Sequence, residues 1–167
     1  MKLSLRIFLL LVLPFAASAQ NPDVVKKHAQ IVANALLTGD YQTVVANTYP
    51  KAVELAGGKT KMLQMISTGL SQMKQQGFAF EKVSIGTPGK FYKAGKEIHC
   101  LVPETIIMKM KEGRFQGNSN LLAVSSDQGK SWTFLDLNNG SINAVDQLFP
   151  NFNHSLVIPK PQKPVKL

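Results

Sequence analysis

Residues 97–110 read EIHCLVPETIIMKM. The run is rich in β-branched residues and it alternates, with Ile98, Cys100, Val102, Ile106, Met108 and Met110 on one parity. Successive side chains of a strand point to opposite faces, so this spacing predicts a long strand with one apolar face. Glu104 falls on that apolar parity, where a carboxylate would be buried and its pKa raised. Pro103 argues for another outcome. Proline in a strand marks an edge or a bulge, and a bulge here would turn Glu104 to solvent, which is the expectation adopted. His99 takes the opposite parity and is expected on the other sheet face as an ordinary structural residue. Cys100, between Ile98 and Val102, reads as a buried apolar filler rather than a nucleophile.

The strand has neighbours on both sides. Before it, FAFEKVSIG (78–86) reads as a strand and Pro88-Gly89 as a turn. After it, Lys111-Glu112-Gly113 turns the chain, RFQGNSNLLAVSS returns, and KSWTFLDL forms the next strand. Asn139-Gly140 marks a turn, and Ser141 is expected to cap a short helix through Leu148. Proline and lysine alternate through IPKPQKPVKL (158–167), which predicts an extended, mobile, basic tail over 159–167.

The segment before these strands has helical period. Asn21-Pro22-Asp23 offers a capping side chain, proline at the first helical position and an acid in the first turn. Val25, Ala29, Val32 and Leu36 follow at helical spacing, and Gly39 stops the run. A short helix is expected through DYQTVVANT (40–48), broken at Tyr49-Pro50. In KTKMLQMISTGLSQMKQQG (59–77), Met62, Leu63, Ile66, Leu70 and Met73 share one face of a third helix.

Helices first and strands afterwards predict an α+β fold, with N-terminal helices packed on a curved antiparallel sheet of about four strands and a short C-terminal helix. This order resembles the cystatin-like α+β roll of the nuclear-transport-factor-2-like superfamily. The stretches TVVANTYPKAVELAGGKTKMLQMI, GFAFEKVSIG, CLVPETIIMKM, GKSWTFLD and LFPNFNHSLVIP are similar to a family of small exported proteins, mostly from Bacteroidota. That resemblance implies a fold and a compartment, not a reaction.

Export is also read directly. Lys2 and Arg6 precede the apolar run IFLLLVLPFAA, and Ala17-Ser18-Ala19 supplies small residues at a cleavage site. Residues 1–19 are therefore expected to be a signal peptide, cut between Ala19 and Gln20, leaving one domain over 20–158 that is secreted or periplasmic. No other run is long and apolar enough to suggest a transmembrane span in the mature chain. Removing Lys2 and Arg6 lowers the formal charge from +9 to +7. Such a surplus favours an anionic surface, and Lys160, Lys163 and Lys166 of the tail are the candidates for attachment. Arg114 is the only arginine left, so nucleic acid is not expected as a partner.

The motif Ser-x-Asp-x-Gly-x-Ser-Trp in SSDQGKSWTF (125–134) resembles the Asp box of sialidases and related propellers. It occurs once, in a chain too short for a propeller, so Asp127, Gly129 and Trp132 are read as a structural turn. His28, His99 and His154 are dispersed, and no metal or cofactor is expected. The leading functional expectation is a non-enzymatic binding module for a small apolar ligand or an envelope protein. Its pocket would be lined by Leu63, Ile66, Leu70, Ile106, Met108, Trp132 and Phe134. The enzymatic alternative, isomerase- or hydrolase-like, makes Glu104 a base with Asp136 or Tyr92 as its hydrogen-bonding partner. Asp136 shares parity with Trp132 and Phe134, yet it is expected at a frayed strand end.

Overall fold

The computed structural model describes residues 20–137 and 145–167. Helix α1, Pro22–Thr38, starts as its sequence demands: Asn21 accepts the Asp23 amide at 2.9 Å and Pro22 takes the first position. It stops at Gly39, whose left-handed φ of 77° lets the chain turn back onto the last carbonyls. Then follow α2 (Tyr41–Ala46), α3 (Pro50–Leu55) and α4 (Lys59–Gln75). The expected break at Tyr49-Pro50 is also a beginning, because Pro50 opens α3 at a position that needs no amide donor.

The strands are β1 (Ala79–Ile85), β2 (Tyr92–Ala94), β3 (Glu97–Met110), β4 (Gly113–Ser125), β5 (Thr133–Asp136) and β6 (Val165–Lys166), with the short helix α5 (Val145–Leu148) between the last two. They form one curved, unclosed antiparallel sheet, α+β as expected, ordered β1-β3-β4-β5 with β2 paired to β3 and β6 to β4. Ser141 and Asn139-Gly140, the expected cap and turn, lie outside the described residues.

Each sheet face is covered by a different part of the chain. On the first, Val25, Ala29 and Ala33 of α1 pack on Val83, Ile85, Cys100, Val102, Leu121, Ala123, Trp132 and Phe134. On the second, Leu122 and Val124 pack under Val145, Leu148, Phe149 and Leu156, with Tyr49 and Ala52 alongside. The chain passes between faces at the β5 edge, where Phe134 bonds the Asn47 carbonyl at 2.8 Å and the Tyr49 amide at 2.9 Å.

Three expectations need correction. β3 has no bulge at Pro103: its pairing with β4 runs without a break from Ile98 to Met110. Proline is tolerated because its nitrogen faces β1 where that strand ends; the Gly86 amide donates to the Pro103 carbonyl at 2.7 Å and no return bond is needed. Glu104 therefore keeps the apolar parity and is buried, 7% exposed. The tail is extended, but its end is paired rather than loose: Lys166 and Val165 pair with Phe115 and Gln116, and the Leu167 amide donates to the Arg114 carbonyl. Finally, α4 has the expected length and stripe but no buried residue. Leu63, Ile66 and Leu70 are half-buried, because α4 packs mainly on α2 and α3 rather than on the sheet.

Candidate functional site

The apolar pocket does not assemble as expected. Trp132 and Phe134 are core residues under α1, 3% and 4% exposed, and Ile106 packs at the margin of the same cluster. Leu70 instead lines a shallow groove with Leu36, Tyr41, Lys74, Phe78 and Phe80. Leu63, Ile66 and Met108 are not among the residues of that groove.

Glu104 sits on the α1 face, opposite Ile85 on one side and Ser119 on the other. The Ser119 hydroxyl donates to its Oε2 at 3.1 Å. Burial and then the nearby Asp136 charge push the Glu104 carboxyl up to about 7, against the pull of Ser119. Asp136 ends β5 and is exposed, as its position before Asn138-Asn139-Gly140 suggests. Its pairing with Leu121, which belongs to the α1-side cluster, sets it on the same face as Glu104. Tyr92 is excluded from this group: it pairs with His99 and packs in the cluster of the opposite face.

That opposite face holds a cluster the sequence reading missed. Glu97 and His99 are two apart on β3, so their side chains share a face. Glu97 accepts from the Tyr49 hydroxyl at 3.1 Å through Oε1 and from His99 Nε2 at 3.0 Å through Oε2. Burial first, then the Glu97 charge and hydrogen bond, push the Tyr49 phenol up to about 12. His99 is fully buried against Phe149 and Phe152, with ring centres at 5.0 and 5.8 Å. Because a carboxylate only accepts, Nε2 carries the proton of this bond, and Nδ1 is the ring nitrogen left over. Nδ1 is buried and has no hydrogen-bond partner.

Two grooves meet over this cluster, of about 380 and 350 Å³, sharing Tyr49, Lys51 and Glu97. The first continues to Ser126, Ser131 and Thr133 beside the Asp-box turn, and the second reaches His99, Phe149 and Asn151. Lys51 is fixed between them, its ammonium donating to the carbonyls of Gln147 and Leu148 at 3.2 and 3.1 Å. The resulting trench brings together a cation, a carboxylate and a histidine whose Nδ1 is buried without a partner. The only sequence signal was the Glu-x-His spacing; Tyr49 and Lys51 lie far away in the chain and come near through the crossing at β5.

The Asp-box turn is structural in its bonding. Asp127 Oδ1 accepts from the Lys130 and Ser131 amides at 3.0 and 2.9 Å and from the Ser125 hydroxyl at 2.8 Å, and Oδ2 accepts from the Ser131 hydroxyl at 2.6 Å. These bonds, that of the Ser131 hydroxyl foremost, hold its carboxyl far below the usual carboxylate range. Gly129 takes φ of 91°, and Trp132 just ahead of β5 donates its indole N–H to the Gly129 carbonyl at 3.1 Å. Among the described residues no group of three or more metal-ligating side chains occurs, and no helix is long and apolar enough to cross a membrane. A scan against models of known protein families finds no match to this chain, and a search of curated proteins finds none either.

Proposed function

We propose that the protein is an exported, non-enzymatic binding module whose site is the trench over Tyr49, Lys51, Glu97 and His99, and that its ligand is a small polar molecule. The single observation that carries this reading is that His99, whose buried Nδ1 has no hydrogen-bond partner, is one of the residues lining the second groove. A buried polar atom without a partner costs about 1–3 kcal/mol, a cost a bound hydrogen-bonding group would remove. The apolar-ligand form of the reading loses its support, since its expected lining is divided between core and helix surface. Export rests on the leader-like residues 1–19 and on the resemblance to exported proteins with a cystatin-like roll.

Thermal-shift screening against amino acids, sugars and short peptides tests the site. The expected result is at least one stabilising compound whose effect is lost in Glu97→Gln and Lys51→Met and kept in Glu104→Gln. Absence of any stabiliser, together with native mass spectrometry of envelope-derived protein showing no retained molecule, would remove the reading.

The enzymatic alternative keeps one favourable observation, since Glu104 is buried on the same face as Asp136 and its carboxyl is poised near neutrality. Neither acid is among the lining residues of the three grooves described above, however.

A further inference from the structure

The core under α1 does not run the whole length of the sheet. Val83, Cys100, Val102 and Leu121 belong to it, with Ile106 at its margin. Beyond Ile106 the same face continues through Phe80, Met108 and Phe115, which the register sets in one row. All three are half-buried, and none is among the residues of either core cluster. Two grooves of about 360 and 280 Å³ open at this end and share Phe78, whose ring meets Phe80 edge-on at 4.8 Å. The first also holds Met73 and Met110, and the second holds Leu37 and Leu70. Met73 and Leu37 are 39% and 36% exposed.

Cations rim this apolar end. Lys74 and Lys111 line the grooves, and Lys109 sits opposite Ala79 at the start of β1. Lys166 of the tail reaches the β3–β4 turn, its Cε 3.1 Å from where a Cβ on Gly113 would stand. Among the described residues none of these four lysines is in an ion pair. Glu81 is held by Arg114 at 2.6 Å, and Glu112 is the acid that lines the grooves. We propose that this end of the molecule is a docking surface for an anionic lipid bilayer. Met73, Phe78 and Met110 enter the boundary between headgroups and acyl chains, and the lysines face the headgroups. A second copy of the chain fits worse, because a two-fold contact would bring the same lysines face to face. The surface lies about 40 Å along β3 from Glu97 and on the other sheet face, so it does not depend on the trench.

Flotation of the full chain with vesicles tests it, comparing pure phosphatidylcholine with a mixture carrying about 30% phosphatidylglycerol. Binding is expected to the anionic vesicles and should weaken as salt rises past about 0.1 M, where charges are screened beyond about 10 Å. The Lys74→Gln, Lys111→Gln double variant should lose about tenfold or more in affinity at low salt. Lys26 and Lys27 are exposed about 15 Å up α1 from Leu37, and changing both to Gln should alter affinity by less than about twofold. Met73→Ser, at an exposed position, should weaken binding about threefold or more at low and high salt alike. Amide exchange should slow on vesicles at 73–80 and 108–114. Equal losses from the two lysine pairs, or equal binding to neutral vesicles, would overturn the surface. Absence of vesicle binding would overturn it too, and concentration-dependent dimerisation in its place would assign this end to a second copy.

Discussion

Asp127 and Glu104 are two carboxylates with opposite environments. Asp127 accepts four hydrogen bonds at the surface, so its ionised form is favoured by folding. Its folded pKa is depressed, which means its contribution is present above the usual value of 3.8 and fades as pH falls below it. Asp127→Ala should cost about 1–2 kcal/mol at neutral pH, measured by urea unfolding. Glu104 is the reverse case. Its folded pKa is raised from 4.5 to about 7, so stability is fullest below 4.5 and is lost as pH rises through 7. Glu104→Gln retains an acceptor for Ser119 and should be more stable than the parent at pH 8 by about 2–3 kcal/mol, with little difference at pH 4. Melting curves across that range check it; a parent protein as stable at pH 8 as at pH 4 would count against the burial of a charged form.

Elements of equal length differ here in what holds them. α1 and α4 both span 17 residues, and both carry an apolar stripe at helical spacing. α1 is capped by Asn21, closed by Gly39 and buries Val25, Ala29 and Ala33. α4 has no side-chain cap, buries no residue, and leaves Met65 and Met73 at 59% and 39% exposure. Helical stability in proteins comes mainly from tertiary packing of one face, so α4 should open locally long before the domain unfolds. Hydrogen exchange is expected to run about tenfold or more faster in the middle of α4 than of α1. Similar protection in both helices would mean that α4 is anchored by something other than the contacts seen.

At the scale of the molecule, the sheet separates two polar groups. Glu104 and Asp136 are on the sheet face that α1 covers, whereas Glu97 and His99 are on the opposite face, where Tyr49 and the C-terminal segment pack. The bond of Glu104 runs to Ser119 and those of Glu97 to Tyr49 and His99, so substitutions of the two glutamates should not feel one another. Glu97→Gln removes the charge from two bonds and should cost about 1–2 kcal/mol. In the Glu97→Gln, Glu104→Gln double variant the two effects should add within about 0.5 kcal/mol, by denaturant unfolding at pH 8. A larger coupling would show that the faces communicate through β3.

Periodicity carries local information, and the local reading of this chain served well: the α+β class, the limits of α1 and α4, the alternation of β3 and the Asp-box turn all follow from neighbours within a few residues. Pro103 shows where that stops. Its tendency to bulge is a property of the residue, but whether a bulge forms depends on whether β1 demands an amide there, and β1 ends at Ile85. The expected apolar pocket failed for the same reason, because the stripe of α4 does not say which surface will receive it. Glu97 and His99 share a face by spacing alone. Tyr49, which bonds Glu97 from 48 positions away, and Lys51, held by carbonyls 96 and 97 positions away, reach them only through the crossing beside β5. Hydrophobic spacing determines which side of an element is buried; the packing of distant segments decides which polar groups meet.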